Sequence, residues 1–64
     1  MKIVCKDNFG RDIVSDTLVC ENVNEYYGKF LVNILNEKYG GEYSEDFFTL
    51  EDDNYKLYDA YDNM

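Results

Sequence analysis

The run from Glu21 to Gly41, ENVNEYYGKFLVNILNEKYGG, is the longest periodic stretch in a chain of 64 residues, and its reading decides how the rest can be arranged. Tyr27, Phe30, Leu31, Ile34 and Leu35 recur at three- and four-residue steps. A helix over about residues 23–39 gathers them on one stripe, with Asn24, Glu25, Lys29, Asn33, Asn36 and Glu37 mostly on the wet side. Asn22 is placed to cap the first turn, with Glu25 three residues on to reach back to it. At the other end Lys38 sits where the helix dipole favours a cation, and Gly40-Gly41 can adopt the left-handed backbone that closes a helix. An amphipathic helix of this length needs an apolar surface to cover, and the flanking segments must supply it.

Those segments read as strands. Upstream, Lys2 to Lys6 carries Ile3, Val4 and Cys5 in a row, as a short buried strand does, and Asp7-Asn8-Phe9-Gly10 is a turn. Two apolar pairs follow, Ile13-Val14 and Leu18-Val19. The second strand falls at Thr17 to Glu21, unless Asp16 caps a short helical turn there instead. Downstream, residues 40–45 form a connector to two aromatic-rich runs, Asp46 to Glu51 and Asn54 to Tyr61. They flank Asp52-Asp53-Asn54, the pattern of a hairpin. With Leu50 opposite Leu57, that hairpin gives one face to the helix and leaves Phe47 and Tyr58 half exposed on the other, as a binding or dimer surface. The expected fold is α+β: a single domain over 1–64, a small two-layer sandwich with a mostly antiparallel ββαββ sheet and one helix packed on it.

Size and composition narrow the function. A chain this short buries only about 60% of its unfolded surface, so a substrate cavity of ordinary size would hollow out the core that holds it together. With no His, the commonest general base and metal ligand is missing, and an enzyme is not expected. Cys5 and Cys20, fifteen residues apart, fit no metal motif and read as reduced, half-buried thiols in strands. Glu51-Asp52-Asp53-Asn54 is dense in oxygen donors but lacks the alternation, glycine and closing glutamate of a calcium loop, and reads as a polar turn. No cofactor or metal is expected. The sequence shows no apolar run long enough for a signal peptide or a membrane span, so the expected location is cytoplasmic.

Charge is the most distinctive property. Fourteen Asp and Glu against six Lys and Arg give a formal net charge of −8, on a chain that is nonetheless 45% hydrophobic and expected to fold. Direct nucleic-acid binding is disfavoured, because phosphate contacts need clustered cations and here they are dispersed. An anionic membrane is disfavoured for the same reason. Glu42, Glu45, Asp46, Glu51, Asp52, Asp53, Asp59 and Asp62 crowd the last third of the chain against a single cation, Lys56, and are interleaved with Tyr43, Tyr55, Tyr58 and Tyr61. Carboxylates spread over a β surface complement an Arg- and Lys-rich groove, and tyrosine rings add rigid contact area.

In size, charge and composition the whole chain resembles small acidic anti-defence inhibitors of phages and mobile elements: anti-CRISPR proteins, anti-restriction DNA mimics and uracil-DNA glycosylase inhibitors. The resemblance is one of class, without a shared motif. It implies a non-enzymatic, stoichiometric inhibitor, foremost an anti-CRISPR protein in a bacterial cytoplasm, that blocks the basic nucleic-acid groove of a host protein or complex. The residues expected to meet that partner are Asp46, Glu51, Asp52, Asp53, Asp59 and Asp62, with Tyr55 and Tyr58 as anchors. The other reading open from the sequence is a structural or interaction module, a small homodimer or a subunit of a larger complex.

Overall fold

The structure is a computed structural model that describes residues 1–10, 14–40 and 44–60. Its elements run in the order β1 (Lys2–Asp7), β2 (Thr17–Cys20), α1 (Glu25–Lys38) and β3 (Asp46–Glu51). The strands form one antiparallel sheet in the order β2-β1-β3, which with α1 makes an α+β fold. The first strand of the chain is therefore the central one. Its run Ile3-Val4 is fully buried, as befits a strand paired on both edges.

Registers assign the two faces. Ile3 stands opposite Leu50, Cys5 opposite Phe48 and Asp7 opposite Asp46, so these share one face. Lys2, Val4 and Lys6 lie on the other, opposite Glu51, Thr49 and Phe47. On the β2 side the ladder shifts between Ile3 and Val4, where Cys20 and Leu18 are the partners. The resulting irregularity, together with a length of only four residues, blunts β2 as an outer edge.

The helix cap lies two residues later than expected. Asn22 has a positive φ (59°), a left-handed turn that asparagine tolerates well. Asn24 is the cap: its side-chain oxygen accepts from the backbone N–H of Tyr26 (2.8 Å) and Tyr27 (3.4 Å). Lys38 lies in the last turn, and the N–H of Gly40 donates to the Leu35 and Asn36 carbonyls at 3.2 Å. Gly41 lies outside the described residues.

The rotation of α1 about its axis differs from the expected one. The helix packs against β3, but its less exposed residues are Gly28, Val32, Leu35 and Asn36. Of the expected inward stripe only Leu35 is half-buried, while Tyr27, Phe30, Leu31 and Ile34 are exposed. The inward face is turned by roughly a third of a helical turn from the sequence-derived stripe. Two features account for this. At Gly28 the helix comes so close to its neighbours that a Cβ there would lie 2.7 Å from Leu50 Cδ1 and 2.9 Å from Val23 Cγ1. Asn36, expected on the wet side, spans the outer edge of β3: its Nδ2 donates to the Phe48 carbonyl (2.9 Å) and its Oδ1 accepts from the Phe48 N–H (2.7 Å). Large side chains at those two positions would push the helix away and leave the strand edge without partners.

The fourth strand of the expected ββαββ order is not formed among the described residues. Asp52 starts the expected turn, accepting from the Tyr55 N–H through its carbonyl (3.0 Å) and from the Asn54 N–H through its side chain (3.1 Å). Beyond it, residues 55–60 carry no strand, and the Leu50–Leu57 register does not arise. β1 occupies one edge of β3 and Asn36 reaches the other. The segment is instead fastened to Ser15 and Asp16. The Asp16 backbone N–H donates to the Tyr58 carbonyl (2.8 Å), its carboxylate accepts from Tyr55 Oη–H (2.6 Å) and the Tyr58 N–H (2.9 Å), and Ser15 Oγ accepts from the Ala60 N–H (2.9 Å). Asp16, which the alternative reading made a helix cap, is thus a buried carboxylate, 8% exposed. Ala60, held in this way, joins Ile3 and Val4 in the core. Ile13, Tyr61 and Asp62 lie outside the described residues.

Two sets of substitutions test these anchors. Asn36→Ala strips both partners from the Phe48 backbone and is expected to cost about 2 kcal/mol in urea unfolding and to speed hydrogen exchange at the Phe48 amide. Asp16→Ala leaves the Tyr58 N–H and the Tyr55 hydroxyl without that acceptor and is expected to cost about 3 kcal/mol, with Tyr55→Phe costing about 1 kcal/mol.

Candidate interaction surface

The acidic and aromatic residues singled out in the sequence do not converge on one patch. Asp46 is exposed at the start of β3, beside Glu45 and opposite Asp7. Asp52 and Asp53 are exposed just past its other end, roughly 20 Å away at the rise of an extended strand. Asp59 is exposed near Ser15, whose hydroxyl lies 3.4 Å from its carboxylate. Glu42, Tyr43, Tyr61 and Asp62 lie outside the described residues.

The remaining residues of that set serve the interior. Glu51 is half-buried and takes the Lys6 ammonium (2.7 Å) and the Thr49 hydroxyl (2.9 Å). Lys6 also lies over the Tyr55 ring, 4.9 Å from its centroid, while Lys2 donates to the Tyr55 carbonyl (3.2 Å). Tyr55 and Tyr58 are half-buried and held by Asp16, Tyr55 through its hydroxyl and Tyr58 through its backbone, which fastens the C-terminal segment. Asp53 faces the α-ammonium of Met1 at 2.8 Å, and that hydrogen bond and charge hold its carboxyl below the ordinary carboxylate range.

Among the described residues, the longest row of exposed apolar side chains lies on α1. Tyr26, Tyr27, Phe30, Leu31 and Ile34 are each between 45% and 66% exposed and occupy consecutive turns of its outer side. The Tyr26 ring meets Tyr27 edge-on at 5.3 Å between centroids and Phe30 at 5.5 Å, so the aromatic end is a continuous surface. Tyr39, 58% exposed, follows the last turn. Isolated exposed apolar residues are ordinary on a protein surface, whereas a contiguous row along a helix is not. The periodicity that revealed the helix thus also revealed this surface, and the sequence reading assigned it to the core.

Among the described residues no group of three or more His, Cys, Asp or Glu could hold a metal ion, and no helix is long and apolar enough to cross a membrane. Cys5 in β1 and Cys20 in β2 are free and half-buried, as expected for strand thiols. They are not cross-strand partners, because Ile3 faces Cys20 and Cys5 faces Thr17. No family model, no curated protein and no solved structure matches the chain.

Burial first, and then the neighbouring Asp46 charge, push the Cys5 thiol up from its usual 9.0. Because the raised value favours the neutral thiol, its contribution to stability is complete below the unfolded value and is lost as pH rises through the folded one. Alkylation of Cys5 by iodoacetamide is expected to be slower than that of an unhindered free cysteine at pH 7–8, to keep rising with pH past the point where an ordinary thiol levels off, and to become fast in urea, as followed by peptide mass spectrometry.

Proposed function

We propose that this protein is a non-enzymatic binding module that engages another protein through the outer face of α1. The observation that carries this reading is the exposed row Tyr26, Tyr27, Phe30, Leu31 and Ile34. A chain with so few buried apolar side chains gains little by keeping its best amphipathic helix half in water, and gains much when a partner covers it. The row supplies rigid aromatic anchors beside smaller aliphatic ones, the composition of an interface centre. Read from sequence, the dimer or binding surface falls on the far face of a C-terminal hairpin. α1 takes that role here.

A second reading keeps the acidic surface in the leading part. The net charge of −8 and the exposed Asp46, Asp52, Asp53 and Asp59 support an inhibitor of host DNA-acting machinery, foremost an anti-CRISPR protein, with restriction enzymes and uracil-DNA glycosylases as other targets. In that case the carboxylates at the two ends of β3 meet separate cationic points of one nucleic-acid groove, and Glu51, Tyr55 and Tyr58 hold the scaffold that spaces them.

Affinity capture from a bacterial lysate, at low and high salt, separates the two. Binding through α1 is expected to survive high salt and to vanish in a Phe30→Ser, Ile34→Ser variant, while an Asp46→Lys, Asp52→Lys, Asp59→Lys variant retains its partner. The opposite pattern, with a DNA-handling complex washed off by salt and displaced by duplex DNA, would establish the second reading and overturn the first.

A further inference from the structure

From the pattern of the outer face of α1, we infer that its occupant is a second copy of the same chain, with two α1 helices packed antiparallel about a two-fold axis near Phe30 and Leu31. This rests on the reading of that face as a binding surface.

The row is ordered along the helix. Its N-terminal half is aromatic, with Tyr26, Tyr27 and Phe30, and its C-terminal half is aliphatic, with Leu31 and Ile34. An antiparallel two-fold pairing centred between Phe30 and Leu31 sets Phe30 against Leu31 of the other copy and Tyr27 against Ile34. Each ring therefore meets a smaller aliphatic group, the self-complementarity that an isologous contact demands. A parallel pairing would set ring on ring at one end and leave the other end thin.

Charge points the same way. The chain carries −8, yet α1 holds Glu25, Lys29, Glu37 and Lys38 and is neutral. The excess acid lies elsewhere, so this is a surface where two strongly acidic copies can touch without direct like-charge repulsion. A basic partner would gain little here. Antiparallel packing also brings the end that carries Glu25 near the end that carries Lys38.

The area is sufficient. Given the usual size of such side chains, the five residues present roughly 600 Å² per copy, or about 1,200 Å² for a pair, where stable interfaces begin.

The test is light scattering and sedimentation equilibrium from micromolar to submillimolar concentration on three proteins: wild type, Phe30→Lys and Leu31→Glu. The wild type is expected to approach twice 7.6 kDa with rising concentration, and to do so equally at low and high salt. Each variant, folded by circular dichroism, is expected to associate roughly 100-fold more weakly. An equimolar mixture of the two variants is expected to recover a heterodimer. Only the antiparallel register sets the cation introduced by Phe30→Lys in one copy against the carboxylate introduced by Leu31→Glu in the other. A wild type that stays monomeric throughout, or a dimer unaffected by both substitutions, overturns the inference. If the wild type is monomeric but loses a captured protein on Phe30→Ser, Ile34→Ser substitution, self-association falls and the binding reading stands. If neither occurs, both fall.

Discussion

The carboxamide of Asn36, hydrogen-bonded to both the N–H and the carbonyl of Phe48, fixes the rotation of α1 about its own axis. Once that side chain is committed to the edge of β3, Gly28 two turns earlier must also face the strand, and its missing side chain lets the backbones approach. Everything on the opposite side of the helix then points outward. The exposed row is therefore a consequence of how the sheet edge is satisfied. An unpaired edge N–H and carbonyl would be costly in the interior and adhesive at the surface, and one asparagine removes both liabilities.

Elsewhere in the chain Asp16 plays a comparable part for the C-terminal segment. A carboxyl group with little access to water needs hydrogen-bond donors, and Tyr55 Oη–H and the Tyr58 N–H supply them from far along the sequence. Lys6, between Glu51 and Tyr55, ties the same segment to β1 and β3. The molecule spans 36 × 28 × 11 Å, thin in one direction, and among the described residues few apolar side chains are completely buried. Such a shape leans on polar fasteners of this kind more than a rounder domain would.

The legible part of the fold was the part governed by local signals. The strand run Ile3-Val4-Cys5, the turn at Asp7, the run Asp46 to Glu51 and the extent of the helix each follow from residue pattern within a few positions. What escaped was set at long range. The periodicity of Tyr27, Phe30, Leu31 and Ile34 identifies an amphipathic helix but not which side meets the sheet, because an exposed apolar stripe has the same sequence pattern as a buried one. Asn36 looked solvated because a polar side chain bonded to a strand edge cannot be told from one bonded to water. Tyr55 and Tyr58 have the pattern of strand residues, and the reason they form no strand lies in Asp16, about forty positions earlier.

The central position of β1 has a kinetic side. Its neighbours β2 and β3 come later in the chain, and the β3 pairing joins residues 2–7 to residues 46–51. While a ribosome makes this protein, Ile3 and Val4 emerge before either partner strand and have no completed sheet to enter until β3 has followed. The helix can form early from its own caps, but closure of the sheet is a late, non-local event, slower than in a helical bundle of equal size. During that interval the apolar strand Lys2–Asp7 is the segment with most to lose from a nascent neighbour, and its charged ends, Lys2 and Lys6-Asp7, are the residues that keep it apart.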